Sequence, residues 1–212
     1  MTEHPILFTT EMVRAILEGR KTQTRRVVKP QPTIEDDGFP NTHRKGEVCL
    51  SKWTGYPLII EYRPRLGYIT MPLKCPYGDK DDHLWVREKF TVNGERTYYA
   101  TEDDGSVYCA YTPSIHMPRN RSRITVEVVN VRVERVQDIS ENNAKAEGIR
   151  EYTAQVGKHS NPTPVFPAFP ERDGGFSTAR AAFEVLWDSI NSKRGYGWDT
   201  NPLVWVIEFK RI

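Results

Sequence analysis

The chain has 212 residues, a formal net charge of +2, 38% apolar and 27% charged residues. That length supports one sizeable core or two small ones. No apolar run approaches the length needed to span a bilayer, and no basic region followed by an apolar stretch opens the chain, so the expectation is a cytoplasmic protein with no membrane contact. Three widely spaced cysteines, Cys49, Cys75 and Cys109, form no CxxC pair. Free thiols are expected, and nothing in their spacing with His43 or His116 favours a zinc site, so no metal and no cofactor are expected.

In chain order, the first signal is a short amphipathic helix carrying Met12, Val13, Ile16 and Leu17, with Thr9 or Thr10 as N-cap and Gly19 where a left-handed C-cap residue belongs. The chain then presents Arg20-Lys21-Thr22-Gln23-Thr24-Arg25-Arg26, and residues 19–29 carry five positive charges and no negative one. Charge this concentrated suits an anionic ligand such as a phosphate, although basic residues also favour a helix C-terminus for electrostatic reasons alone. Lys21 and Thr24 hold the parts of a nucleophile and its base. In a regular strand they would point to opposite faces, so joint action requires the backbone to turn between them.

Residues 29–47 and 151–176 are rich in Pro and Gly and read as irregular excursions from a single domain spanning 1–212. Between them, His83-Leu84-Trp85-Val86-Arg87 reads as a strand, ending near Glu88, which suits either a base edge or an arginine partner. Thr97-Tyr98-Tyr99-Ala100 and residues 106–111 flank Asp103-Asp104-Gly105 as a hairpin. Tyr99, Tyr108 or Tyr111 would be placed there to stack a base, whereas Trp85, Trp187 and Trp205 read as core. Arg119, Arg121 and Arg123 alternate into the longest strand, residues 124–136, whose apolar alternation changes phase at Val128-Val129 and so predicts a bulge. Ser140 caps a helix ending at Gly148, and Ser177 caps another with Phe183, Leu186, Trp187 and Ile190 on one face. Residues 203–209 form a closing strand. Many strands, few helices and no βαβ alternation give an α+β fold around a small curled sheet or barrel.

Several of these pieces together resemble the ASCH domain family. Ile16-Leu17-Glu18-Gly19-Arg20-Lys21-Thr22-Gln23-Thr24-Arg25-Arg26 is similar to the family's leading helix and GxKTxTxR element. Gly78-Asp79 with Asp82-His83-Leu84-Trp85-Val86-Arg87-Glu88 is similar to its "GD-x-LWVRE" strand. Ser122-Arg123-Ile124-Thr125-Val126-Glu127-Val128, Asp138-Ile139-Ser140, Ala144-Lys145-Ala146-Glu147-Gly148-Ile149 and Trp205-Val206-Ile207-Glu208-Phe209 follow in the family's order. Trp187-Asp188-Ser189-Ile190-Asn191 with Trp198-Asp199 resembles the long form found in bacteriophages and prophages. One departure is Asp81, which stands where the family usually has glycine. The resemblance implies a PUA-like small β-barrel with a few flanking helices. Short bacterial members are amidohydrolases that deacetylate N4-acetylcytidine with a lysine, a threonine and a glutamate, matching Lys21, Thr24 and Glu147. Other members are regarded as RNA-binding modules, so the alternative is a module holding RNA, a modified cytosine nucleoside or DNA without turnover, with a phage accessory protein as a third reading.

Amide hydrolysis needs a nucleophile, a proton acceptor and oxyanion stabilisation. Thr24 supplies the first. Lys21 accepts a proton only when neutral, which from an ordinary value of about 10.4 needs a shift of roughly three units, about 4 kcal/mol. Burial and the like charges of Arg20, Arg25 and Arg26 act in that direction. The other assignment keeps Lys21 protonated at the oxyanion and makes Glu147 the base. Arg20, Arg25, Arg26, Arg119 and Arg121 are the candidate phosphate contacts.

Overall fold

In the computed structural model, Thr9 accepts a hydrogen bond from the Met12 amide, and the helix it starts ends before Gly19, whose φ of +75° is left-handed. Both ends are therefore where the capping residues put them. The structure describes residues 1–32, 34–35, 48–51, 57–63, 67–103, 110–154, 163–166 and 175–212. The elements are β1 (Glu3–Leu7), α1 (Thr10–Leu17), β2 (Gln23–Val27), β3 (Ile34–Glu35), β4 (Val48–Leu50), β5 (Pro57–Arg63), β6 (Gly67–Pro72), β7 (His83–Arg87), β8 (Phe90–Asn93) and β9 (Arg96–Tyr99). They continue with β10 (Thr125–Arg135), α2 (Glu141–Ala146), β11 (Tyr152–Ala154), β12 (Thr163–Val165), α3 (Ala179–Asn191) and β13 (Leu203–Arg211).

The fold is α+β. A mixed five-stranded sheet runs β1-β7-β10-β13-β2, with β1 parallel to β7 and the other neighbours antiparallel. Smaller sheets join β3-β4-β5-β6, β8-β9 and β11-β12. The penultimate position of β13 explains its almost unbroken apolar sequence, because both of its faces are covered. Leu203, Trp205, Ile207 and Phe209 join Val13 and Ile16 of α1 in one core, while Val204 and Val206 join Ala144 of α2 and Phe183 and Trp187 of α3 in another.

The phase change in β10 is a bulge: its register against β13 shifts between Val128 and Asn130, leaving Val129 exposed. There the Val128 carbonyl accepts from the Asp81 amide (2.9 Å) and the Val128 amide donates to the Asp82 carbonyl (2.8 Å). Asp81 has φ +69°, so it supplies the left-handed turn expected of glycine, a conformation aspartate tolerates better than most residues. The Asp82 carboxylate accepts from the amides of Thr2 (2.6 Å) and Asp79 (3.1 Å), and these bonds hold its carboxyl down at about 2.

Four expectations are corrected. The α3 cap is Thr178, whose hydroxyl accepts from the Ala181 amide, one residue beyond Ser177. Thr97-Tyr98-Tyr99 pairs backwards with β8 through a Gly94-Glu95 turn, with Gly94 at φ +61°; of the partner expected for it, residues 106–111, the part 106–109 with Tyr108 and Cys109 lies outside the described residues. The excursion at 151–176 contains a short ribbon, β11 against β12, and that at 29–47 contains β3; their residues 33, 36–47 (with His43), 155–162 and 167–174 lie outside the described residues. Trp85 is half-buried rather than core, with Arg87 and Arg119 at 5.4 and 6.0 Å from its ring.

Candidate active site

The GRKTQTRR segment is laid down by two helix ends meeting. Past Gly19, the amides of Arg20 and Lys21 both donate to the Ala15 carbonyl (2.9 and 3.0 Å), and the Thr22 amide donates to the carbonyl of Ala146 at the end of α2 (2.9 Å). Lys21 and Glu147 form an isolated antiparallel bridge. Gly148 permits this approach: it has φ +94°, and a Cβ there would lie 3.0 Å from Ala15 Cβ and 3.1 Å from Lys21 Cβ.

The Lys21 side chain is fully buried and that of Glu147 is 4% exposed. Lys21 Nζ donates to Glu147 Oε2 (2.7 Å), the Glu147 carbonyl (2.7 Å) and the Gln23 carbonyl (2.9 Å). Three acceptors match the three protons of an ammonium, whereas a neutral amine has two. Burial pushes the Lys21 ammonium below its ordinary value, Glu147 opposes that shift, and Arg26 and Arg25 reinforce it. From Glu147 the ionic chain continues outward. Arg25 Nη1 reaches Glu147 Oε1 at 3.3 Å, Arg25 Nη2 reaches Glu134 Oε2 at 2.9 Å, and Arg132 pairs with both Glu134 and Glu208. The Gln23 amide, with its oxygen turned towards them, accepts from Arg132 Nη2 at 3.1 Å and Arg25 Nη1 at 3.2 Å.

Strand pairing fixes where Thr24 stands. Phe209 donates to the Thr22 carbonyl and Val28 to the Leu203 carbonyl. Even-numbered residues of β2 therefore bond to β13, and the carbonyls of Gln23 and Arg25 point to the free edge of the sheet. Lys21 precedes the regular strand and caps that edge at Gln23. Thr24 stands opposite Ile207, while Gln23 and Arg25 stand opposite Glu208 and Val206 on the other face. Thr24 is buried, and among the described residues its hydroxyl forms no hydrogen bond with Lys21, Glu147 or any other group.

Around this edge lies a cavity of about 780 Å³, within the range of small-molecule sites. Thr24, Arg25, Arg26 and Glu147 line it, with Phe8, Tyr77, Phe183, Trp187 and Trp205 as aromatic walls. Its lining carries seven basic side chains against two carboxylates, Glu11 and Glu147, in a chain whose net charge is only +2. Arg26 sits 5.2 Å from the Phe8 ring and donates to the Leu7 carbonyl (2.7 Å).

Lys29, Lys74, Arg87, Lys89 and Arg194 also belong to this lining; Lys29 closes the basic segment 19–29 and Arg87 ends the His83–Arg87 strand, whereas nothing in the local sequence marks Lys74, Lys89 or Arg194. The other arginines marked by the sequence stand elsewhere. Arg20 pairs with Glu18 (2.6 Å) and donates to the Gly148 carbonyl (2.8 Å), lining a smaller cavity of about 120 Å³. Arg119 makes two bonds of 2.8 Å to Glu3, which raise its own value and lower that of Glu3. Arg121 donates to the Glu95 carbonyl (3.1 Å) and Thr97 Oγ1 (2.9 Å). Neither Arg119 nor Arg121 lines the large cavity. The Tyr99 ring is covered by Arg123, 3.8 Å from its centre. Among the described residues no group of three or more His, Cys, Asp or Glu is placed to hold a metal, and burial pushes the Cys75 thiol up to about 11.

The class so defined is an α+β protein with a buried Lys–Glu pair at a sheet edge beside a basic, aromatic-walled cavity. Compared with family models, curated proteins and solved structures, the chain matches none.

Proposed function

We propose that this protein is a hydrolase of the ASCH kind, acting on an acylated cytosine nucleoside in the cytoplasm, with 1–212 as one PUA-like barrel domain. The observation that carries the reading is the Lys21–Glu147 contact of 2.7 Å, with Glu147 and Thr24 both on the wall of one cavity that Lys21 itself does not line. In the proposed reaction Thr24 Oγ attacks the acetyl carbon and its proton passes to a base. The bond from carbon to N4 then breaks, the amine leaves with a proton, and water cleaves the acyl-threonine to acetate. The hydrogen bonding favours Glu147 as the base. All three Lys21 protons are already donated, whereas the Glu147 carboxylate retains lone pairs beyond those given to Lys21 and Arg25. Lys21 then acts as an electrostatic partner, at the cost of releasing one of its present acceptors.

A second reading, a binding module for RNA, DNA or a modified nucleoside without turnover, draws on the same hydrogen bonds: Lys21 is fully occupied and the Thr24 hydroxyl touches no base. Incubation with N4-acetylcytidine, followed by chromatography, separates the two. Release of cytidine by the wild type and its loss in Thr24→Ala support the hydrolase. Absence of cytidine at high protein concentration rejects it.

A further inference from the structure

We propose that the large cavity takes its ligand with a phosphate attached, a nucleotide or a phosphorylated position in a strand, rather than a free nucleoside. This deepens the hydrolase reading and rests on it for the identity of the base, but the phosphate site stands on observations of its own.

The first is the rim. Lys29, Lys74, Lys89 and Arg194 are exposed, come from four separate parts of the chain and line the same cavity. None of them pairs with a carboxylate among the described residues, and Lys29 has only the Tyr196 ring, 5.4 Å away. By contrast, Arg20 and Arg119, cations that the sequence had marked for phosphate, are held by Glu18 and Glu3. Gathering like charges without counter-charge costs self-repulsion, and that cost is recovered when an anion binds.

The second observation lies deeper. Arg25 Nε and Arg87 Nε have no hydrogen-bond partner among the described residues, both arginines line this cavity, and both nitrogens are closed to solvent, so a ligand acceptor reaches them only when these side chains shift. Buried unpaired donors are uncommon and call for an acceptor, and arginine is suited to phosphoryl and carbonyl oxygens. Exposed cations and buried aromatic rings lining one cavity are the two kinds of contact that a phosphate and a base present together.

Titration calorimetry on the whole protein at low salt tests this with cytidine, cytidine 5′-monophosphate, cytidine 3′-monophosphate, inorganic pyrophosphate and a short single-stranded oligonucleotide. One of the two monophosphates is expected to bind at least about tenfold more tightly than cytidine, and the gain should shrink as salt rises. In Lys74→Gln/Arg194→Gln, at exposed positions, the gain should fall to about twofold or less. If the strand is the source of the phosphate, the oligonucleotide binds more tightly than either monophosphate, with a log–log salt slope of about 0.7 per contact; equal affinities assign a mononucleotide. Equal binding of cytidine and both monophosphates overturns the inference, as does a gain unaffected by the double variant. Turnover of N4-acetylcytidine without any phosphate gain would leave the hydrolase standing and remove this inference. Pyrophosphate and monophosphate binding without turnover of any acetylated substrate would do the reverse.

Discussion

Two glutamates in this protein are buried against arginine, and their surroundings differ in what they leave unpaired. Glu88 is held by Arg123 through bonds of 3.0 and 3.3 Å and by the Thr101 hydroxyl at 2.8 Å, and Arg123 itself is shared with Glu102 and packed on Tyr99. Every group in that cluster has its counterpart, and Glu88 lines neither of the two cavities described above. Glu147 is equally enclosed by Lys21 and Arg25, yet it lines a large basic cavity together with Thr24 and Arg25, whose hydroxyl and Nε have no hydrogen-bond partner among the described residues. Burial of an ion pair is therefore no mark of a site by itself. The mark is burial next to groups left unsatisfied.

The largest expected effect on stability separates the two clusters. Glu147→Gln leaves the fully buried Lys21 ammonium without a carboxylate and should cost about 3–5 kcal/mol in urea unfolding. Glu88→Gln leaves Arg123 with Glu102, Thr101 and access to water, and should cost about 1–2 kcal/mol. Equal costs would mean that the two clusters do the same work.

Next in size is a pH effect. The folded-state value of Lys21 lies below its unfolded value of 10.5 because burial disfavours the charge. Between those two values the unfolded chain binds more protons, so this lysine makes stability rise with pH across that window and contributes no slope below it. Relative to Lys21→Met, the wild type should gain stability as pH climbs towards 10.5. A flat or falling difference would show that the Glu147 contact outweighs desolvation.

Smallest of all should be the stability change in Thr24→Val, within about 0.5 kcal/mol or slightly favourable, because the lost hydroxyl leaves no partner behind. A cost above about 1.5 kcal/mol would reveal a structural role for that hydroxyl. A buried polar side chain whose removal costs nothing is one the fold does not require.

Much of this was legible in the sequence where the signal is local. Thr9 and Gly19 bracket α1, the Val128-Val129 phase change marks the bulge, and the apolar run of residues 203–209 marks a strand covered on both faces. Lys21 and Thr24 stand out within the basic segment after α1, whereas Glu147 is marked by the resemblance to the ASCH family, and the fold brings it against Lys21. What escaped needed distant partners. β1 contains Pro5 and buries only Ile6, so it reads as a strand only once β7 is beside it. The β8–β9 turn at Gly94-Glu95 carries a weaker local signal than Asp103-Asp104-Gly105, most of which lies outside the described residues. Arg119 and Arg121 are marked by their alternation into the long strand, and the sequence carries no sign of the Glu3 carboxylate that meets one or the Glu95 carbonyl that meets the other. Lys29 closes the basic segment that the sequence marks, but Lys74, Lys89 and Arg194 are single residues far apart, and only the fold brings them to the same cavity.

The most direct measurement is the initial rate of cytidine release from N4-acetylcytidine by wild type, Thr24→Val, Glu147→Gln and Glu88→Gln, each shown to be folded at the assay temperature. The expected result is turnover by wild type and Glu88→Gln at similar rates, with Thr24→Val and Glu147→Gln slower by at least about 10³-fold. Turnover by Thr24→Val or Glu147→Gln at the wild-type rate, or no turnover by the wild type, would contradict a reaction centre at the edge of β2.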